Sequence, residues 1–184
     1  VVAQLRDNYS AVLWNQNRFS ECIGQALLSL DIYKRMAAAN SSQGFNPSWR
    51  VASCAYQSGN LDQAFDYALQ SLAYAKNGVP MGGINSLRML AAVSARRDDF
   101  AKATDFLAQA DAAVASTEVT NPNILTALHL TRALIAIRSG DVESAQGHLQ
   151  TADASVSPSG NYAGWLRQER DDIVRMIGAA GNGS

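Results

Sequence analysis

The sequence predicts an all-α fold, four helical hairpins stacked in succession with one further helix after them. Three observations carry this. A polar turn followed by a helix-forming stretch rich in small residues occurs four times, in "NQNRFSECIGQALLSLDIYK", "QSGNLDQAFDYALQSL", "ARRDDFAKATDFLAQADAAV" and "IRSGDVESAQGHLQTADASV". Each is preceded by apolar residues at helical spacing. No alternating β-branched run occurs, and no Asn-Gly turn joins two such runs.

The four copies align on the residue after the polar turn: Phe19, Leu61, Phe100 and Val142, spaced by 42, 39 and 42 positions. Three residues on stand Cys22, Ala64, Ala103 and Ala145; seven on, Ala26, Ala68, Leu107 and Leu149; ten on, Ser29, Ser71, Ala110 and Ala152. Offsets of 0, 3, 7 and 10 share one helix face, and small residues there mark where another helix comes close.

Upstream of each turn lies a second helix. Its apolar stripe is Leu5, Tyr9, Val12 and Leu13 in the first copy, and Val51, Ala52 and Ala55 in the second. In the third it is Leu87, Leu90, Ala91 and Ser94, and in the fourth Leu130, Ala133, Leu134 and Ile137. Asn46-Pro47 and Asn121-Pro122 read as an Asn N-cap before a proline at the first helical position. The turns Ser58-Gly59-Asn60, Arg97-Asp98-Asp99 and Ser139-Gly140-Asp141 supply residues that leave one helix and cap the next. One hairpin cannot bury both faces, whereas stacking on its neighbour can.

With a small residue in each first helix (Ser10, Ala52, Ala91, Ala133), the Gly-Asp-like turn and the small positions of the second helix, residues 3 to 156 resemble the tetratricopeptide repeat. That family has a period of about 34 residues. The longer spacing here is similar to its kinesin-light-chain-type and bacterial-regulator variants. The resemblance implies a right-handed superhelical solenoid with repeats at about 3–36, 45–78, 84–117 and 126–159. "NYAGWLRQERDDIVRMIG" reads as a capping helix at about 161–178, with Tyr162, Trp165, Ile173, Met176 and Ile177 inward and Arg167, Glu169, Arg170, Asp171 and Asp172 outward. Residues 1–178 thus read as one domain and 179–184 as a flexible tail.

A net charge of −1 gives no electrostatic case for nucleic acid or an anionic membrane. No apolar run approaches a membrane span. The chain opens on Val1, which reads as a piece of a larger protein, and the absence of a targeting signal points to the cytoplasm. Cys22 and Cys54, too few for a disulfide scaffold, read as buried free thiols. His129 and His148 lack the companions of a metal motif, and "MGGINSL" reads as a plain loop leading into a helix. Asn8-Tyr9-Ser10 and Asn40-Ser41-Ser42 match the glycosylation pattern, a common one. The expectation is no enzyme, no metal and no cofactor.

The resemblance further implies that first helices line a concave groove. Carried over by position, the groove would present Gln4, Asp7, Asn8, Ala11, Trp14 and Asn15, then Asn46, Trp49, Arg50, Ser53, Tyr56 and Gln57. The third copy would add Asn85, Arg88, Met89, Ala92, Ala95 and Arg96, and the fourth Ala127, Leu130, Thr131, Leu134, Ile137 and Arg138. Aromatics beside arginines are enriched in binding surfaces. The expected site is therefore Asn15, Trp49, Arg50, Tyr56, Arg88, Arg96 and Arg138, exposed and locally positive, taking a protein segment that carries Asp, Glu or a free carboxylate. Asp7 and Ala11 replace two members of the family's chaperone-tail set, so that ligand is not expected. The function this implies is a protein–protein interaction module, a scaffold or regulatory segment. A ligand- or signal-peptide-responsive sensor is the alternative, and self-assembly through the apolar face Leu130, Leu134 and Ile137 is the third.

Overall fold

The computed structural model describes residues 1–36, 42–117, 120–156 and 164–181. Among them are nine α-helices: α1 (Val2–Asn15), α2 (Phe19–Arg35), α3 (Phe45–Gln57), α4 (Leu61–Ala75), α5 (Pro80–Arg96), α6 (Phe100–Thr117), α7 (Pro122–Arg138), α8 (Val142–Ser155) and α9 (Gly164–Gly181). The first eight pack as sequential antiparallel hairpins, α1 with α2, α3 with α4, α5 with α6 and α7 with α8. Neighbouring hairpins also touch through their first helices, so α1, α3, α5 and α7 lie in one row. This sequential packing is consistent with a helical repeat.

The second helices begin at the four aligned residues, Phe19, Leu61, Phe100 and Val142. The chain gets there by the same device each time. A residue two positions earlier has left-handed backbone: Asn17 (φ 59°), Gly59 (φ 82°), Asp98 (φ 59°) and Gly140 (φ 90°). The next N–H reaches back to the carbonyl five residues before it, at 2.9 Å from Arg18 to Leu13, Asn60 to Ala55, Asp99 to Ser94 and Asp141 to Ala136. This is the Schellman closure, which satisfies carbonyls that a helix end leaves open. Asn60 and Asp141 then cap the next helix by accepting from the N–H groups of Gln63 and Ser144. Glycine is needed twice, while Asn17 and Asp98 are residue types that tolerate this region.

Cys22, Ala64, Ala103 and Ala145 are all 0% exposed, as are Ser29, Ser71, Ala110 and Ala152. Small side chains there let the helices approach: Ser29 Oγ donates to the Ala3 carbonyl at 2.7 Å, and the Ser71 and Ser86 hydroxyls lie 2.7 Å apart. The expected stripes of α3, α5 and α7 are buried. That of α1 is not. Leu5, Tyr9 and Val12 are 61%, 46% and 48% exposed; of the expected stripe α1 buries only Leu13, together with Ala3 and Ser10. Among the described residues no helix packs over that side of α1, which leaves this part of its apolar pattern exposed.

Other expectations need correction. Asn121 caps α7 as its sequence suggests, but α3 already starts at Phe45, which puts Asn46 and Pro47 inside its first turn. The glycines of "MGGINSL" lie within α5, not in a loop. A Cβ on Gly82 would sit 2.5 Å from the Phe45 ring, so glycine there admits the ring against the helix. Helix α9 runs to Gly181, further than the capping helix expected, and takes up part of the supposed tail; 182–184 lie outside the described residues, as do Tyr162 and Asn40-Ser41.

The thiols are not free. Cys22 of α2 and Cys54 of α3 form a disulfide with Cα atoms 6.5 Å apart, enclosed by Leu13, Trp14, Phe19 and Ile23. Two cysteines make no scaffold, but here one bridge fastens the first hairpin to the second. Disulfides persist in oxidising compartments, which weighs against the cytoplasmic expectation. Among the described residues no helix is long and apolar enough to cross a membrane.

Two outcomes check this packing. Replacing Ala64, Ala103 or Ala145 by Leu should cost about 1–3 kcal/mol through overpacking, read as a lower urea midpoint. Cys22→Ser with Cys54→Ser should cost about 2–4 kcal/mol, because the bridge closes a loop over a separation of 32 residues. An unchanged midpoint in the double variant would show that the bridge does not form in solution.

Candidate functional site

The row of first helices does not stand open. Helix α9 lies across it. Its N-terminal end reaches α1, where the Trp165 and Trp14 rings stack with centroids 6.4 Å apart. Its C-terminal end reaches α7 and α8, where Met176 and Ile177 pack with Ile137, Val142 and Ala145. Between them Leu166, Glu169 and Ile173 are buried, at i, i+3 and i+7 on one helical face. Leu166 and Ile173 join the main core with Tyr56, Met89, Leu130 and Leu134. At the rim, Arg170 holds Asp153 of α8 through two hydrogen bonds of 2.7 and 3.0 Å. The end-cap reading of this helix is too modest, since it spans from the first hairpin to the last.

Glu169 read as solvated from its charged neighbours, yet it is buried against Arg88, which is 1% exposed. Arg88 Nη1 donates to both carboxyl oxygens, at 3.2 and 3.0 Å, and more weakly to Thr131 Oγ1 at 3.5 Å. The guanidinium carbon lies 5.0 Å from the Trp165 ring centroid, so α9 covers the cation with a π face as well. Nε and Nη2 of Arg88 have no hydrogen-bond partner among the described residues. Burial pushes the Glu169 carboxyl above its ordinary range, with the Arg88 charge opposing. The Tyr56 hydroxyl is pushed well up by burial and then by the Glu169 charge.

The seven expected site residues fall into different environments. Tyr56, Arg96 and Arg138 line one cavity of about 530 Å³ beside α9, floored by Ala92, Leu130 and Leu134. Arg96 lies over the Tyr56 ring at 4.7 Å and donates to its carbonyl at 2.9 Å. Arg138 pairs with Asp98 at 2.7 Å. Asn15 lines a second cavity, about 600 Å³, nearer the N-terminal end of α9, which shares Asp172 and Arg175 with the first. Trp49 is half-buried and packs against the main core, and Arg50 sits over Trp14 at 4.8 Å. Arg88 is not on an exposed surface at all. It lies beneath α9, against Glu169 and Trp165, so the expected exposure of this residue is corrected.

The apolar fourth-repeat face meets a similar fate. Leu130, Leu134 and Ile137 are buried within the chain, partly by α9, so they offer no open patch for self-assembly. His129 and His148 have ring centroids 6.1 Å apart, and burial lowers both pKa values, with Arg132 adding to it. Among the described residues no three His, Cys, Asp or Glu side chains converge on a metal-sized site. What the sequence reading missed is Glu169 and Leu166. The only signal was that both share the apolar face carrying Ile173 and Met176.

The buried pair is asymmetric. Arginine stays charged at any ordinary pH, whereas a carboxyl can take up a proton. Glu169→Leu, which strands the cation, should therefore cost about 3–5 kcal/mol in urea unfolding and more than Arg88→Met does. The pH dependence follows from the raised pKa. The folded carboxyl holds its proton more tightly than the unfolded one, so its stabilising contribution is complete below about pH 4.5 and fades as pH rises through the folded value. The margin of wild type over Glu169→Gln should narrow from pH 4.5 upward; a constant margin would contradict the shift.

No protein-family model matches the chain, and no curated protein matches it either.

Proposed function

We propose that the chain is a protein–protein interaction module, a helical-repeat scaffold or regulatory segment of the tetratricopeptide type. The face made by α1, α3, α5 and α7 is where a partner segment docks, in the role of the concave groove of such a superhelix. The observation that carries this reading is the seating of α9. An amphipathic helix already lies on that face through an aromatic contact, a charged anchor and an aliphatic stripe, which is how helix-in-groove recognition works. A helix therefore suits the face better than an extended peptide. Arg96 and Arg138 at the rim favour a partner with Asp, Glu or a terminal carboxylate, since guanidinium groups fork onto such groups.

A second reading, a sensor that responds to a small ligand or signal peptide, draws on the cavity bordered by Arg96, Arg138 and Tyr56. Its volume falls in the range of small-molecule sites, and its apolar floor with a few polar groups suits an amphipathic anion. A ligand bridging α9 to α5 and α7 would stiffen the whole row.

The test begins with helical peptides selected by display against the folded chain. Their affinity should fall by about 2 kcal/mol, roughly thirtyfold, in the Arg96→Ala, Arg138→Ala double variant, as hot-spot truncations do. Folding is checked by circular dichroism. Selected peptides that bind this variant like wild type would place the partner surface elsewhere and remove the basis of the reading.

A further inference from the structure

The face made by the first helices holds a cation that must be covered. Arg88 projects from α5 into the interior and cannot shed its charge, so whatever lies on it has to bring an acceptor. Helix α9 does this incompletely. Its Glu169 engages Nη1 alone and leaves Nε and Nη2, on a side chain 99% buried, without partners among the described residues. A carboxylate set side-on to the guanidinium would fill that edge with a two-bond fork. The fit of α9 is loose in a second way, because cavities of about 530 and 600 Å³ open along one side of it, sharing Asp172 and Arg175. Its other face is open to solvent, with Arg167, Gln168, Asp171, Val174, Arg175 and Gly178 exposed.

The residues α9 uses are evenly spaced. Trp165, Glu169, Ile173 and Ile177 recur every four positions and form one stripe. Each meets a different part of the row: Trp14 of α1, Arg88 of α5, the α5–α7 core, then Ile137 of α7. A stripe of this kind reads as a ligand rather than as generic cover, because its positions answer particular features of the face, with Trp165 and Glu169 converging on Arg88.

We propose that α9 is the chain's own stand-in for a partner helix. That helix would carry an aromatic ring, a carboxylate four residues on and aliphatic side chains at the next two four-residue steps. It would replace α9 on the α1–α3–α5–α7 face, with Arg88 reading the carboxylate. This rests on the reading of that face as a helix-docking surface and adds the recognition pattern and the displacement. A tethered helix competes at an effective concentration of ~mM, so a free helix of equal quality binds wild type weakly, and one that completes the Arg88 fork binds better. The device makes the face selective: segments without a carboxylate at the Arg88 position leave a buried cation stranded.

The experiment uses the full chain and a fluorescein-labelled peptide of residues 164–181, titrated by fluorescence anisotropy. The Glu169→Leu chain, whose own α9 is ejected by the stranded cation, should bind the wild-type peptide at least tenfold more tightly than the wild-type chain does. A peptide carrying Glu169→Leu should lose at least tenfold on either chain. Where the Glu169→Leu chain does not keep a cooperative urea transition, the Trp165→Ala chain makes the same comparison. Bound peptide should also speed hydrogen exchange at the α9 amides, a readout that a merely structural helix would not move. A folded variant chain that takes the peptide no better than wild type overturns the stand-in role, as does a Glu169→Leu peptide that binds as well as the wild-type one. Display-selected helices that still depend on Arg96 and Arg138 in that case would leave the helix-docking reading standing, so the two failures are distinguishable.

Discussion

Two helices can approach closely only where the side chains between them are no larger than a methyl, a hydroxyl or a thiol. Everything in this structure depends on that limit. Positions 22, 64, 103 and 145 meet it, and so do 29, 71, 110 and 152, all of them fully buried. Because the small residues recur in register, the first helices also fall in register, and α1, α3, α5 and α7 form a row. A row of parallel surfaces places single residues from distant parts of the chain side by side. Tyr56, Arg96 and Arg138 share one cavity although 82 positions separate the first from the last.

On that row, one buried cation sets the terms for α9. Most of the interior is alanine, serine, leucine and isoleucine, which tolerate many covers. Arg88 does not. Its charge survives burial, so the helix above must offer an acceptor at one place, and Glu169 offers it there. A buried ion pair adds little net stability against an apolar replacement, but it penalises every wrong register. Trp165 works with it, covering the guanidinium while stacking on Trp14. At the other end of the chain the Cys22–Cys54 bridge limits how far the first hairpin can part from the second. Since α9 touches both α1 and α7, that bridge also helps to hold the two ends of its seat at a fixed separation.

Local chemistry made much of the frame legible in the sequence. The starts of α2, α4, α6 and α8 follow from the turn residues, since Gly59 and Gly140 are conformationally free and Asn60 and Asp141 can cap. The buried small positions follow from helical periodicity, which is a property of each segment by itself. The candidate site was legible only in part. Arg96, Arg138, Tyr56 and Asn15 do border α9, but Trp49 is half-buried against the core and Arg88 is a buried anchor. Periodicity finds a face and cannot say what will lie against it.

By itself, then, the sequence determined an all-helical chain of four hairpins with a fifth amphipathic segment. Those features arise from residues near one another along the chain. The tertiary structure alone decided three things. Cys22 and Cys54 meet across two hairpins, a contact that depends on how α2 and α3 cross. The Leu5–Tyr9–Val12 stripe stays exposed, because among the described residues no helix packs over that side of α1. Glu169 leaves the solvent for Arg88, 81 residues earlier in the chain, because the two ends of α9 are held by α1 and by α7 with α8 and its middle must then cover the cation. A carboxylate among charged neighbours looks like surface until the partner that neutralises it is brought into place from elsewhere in the fold.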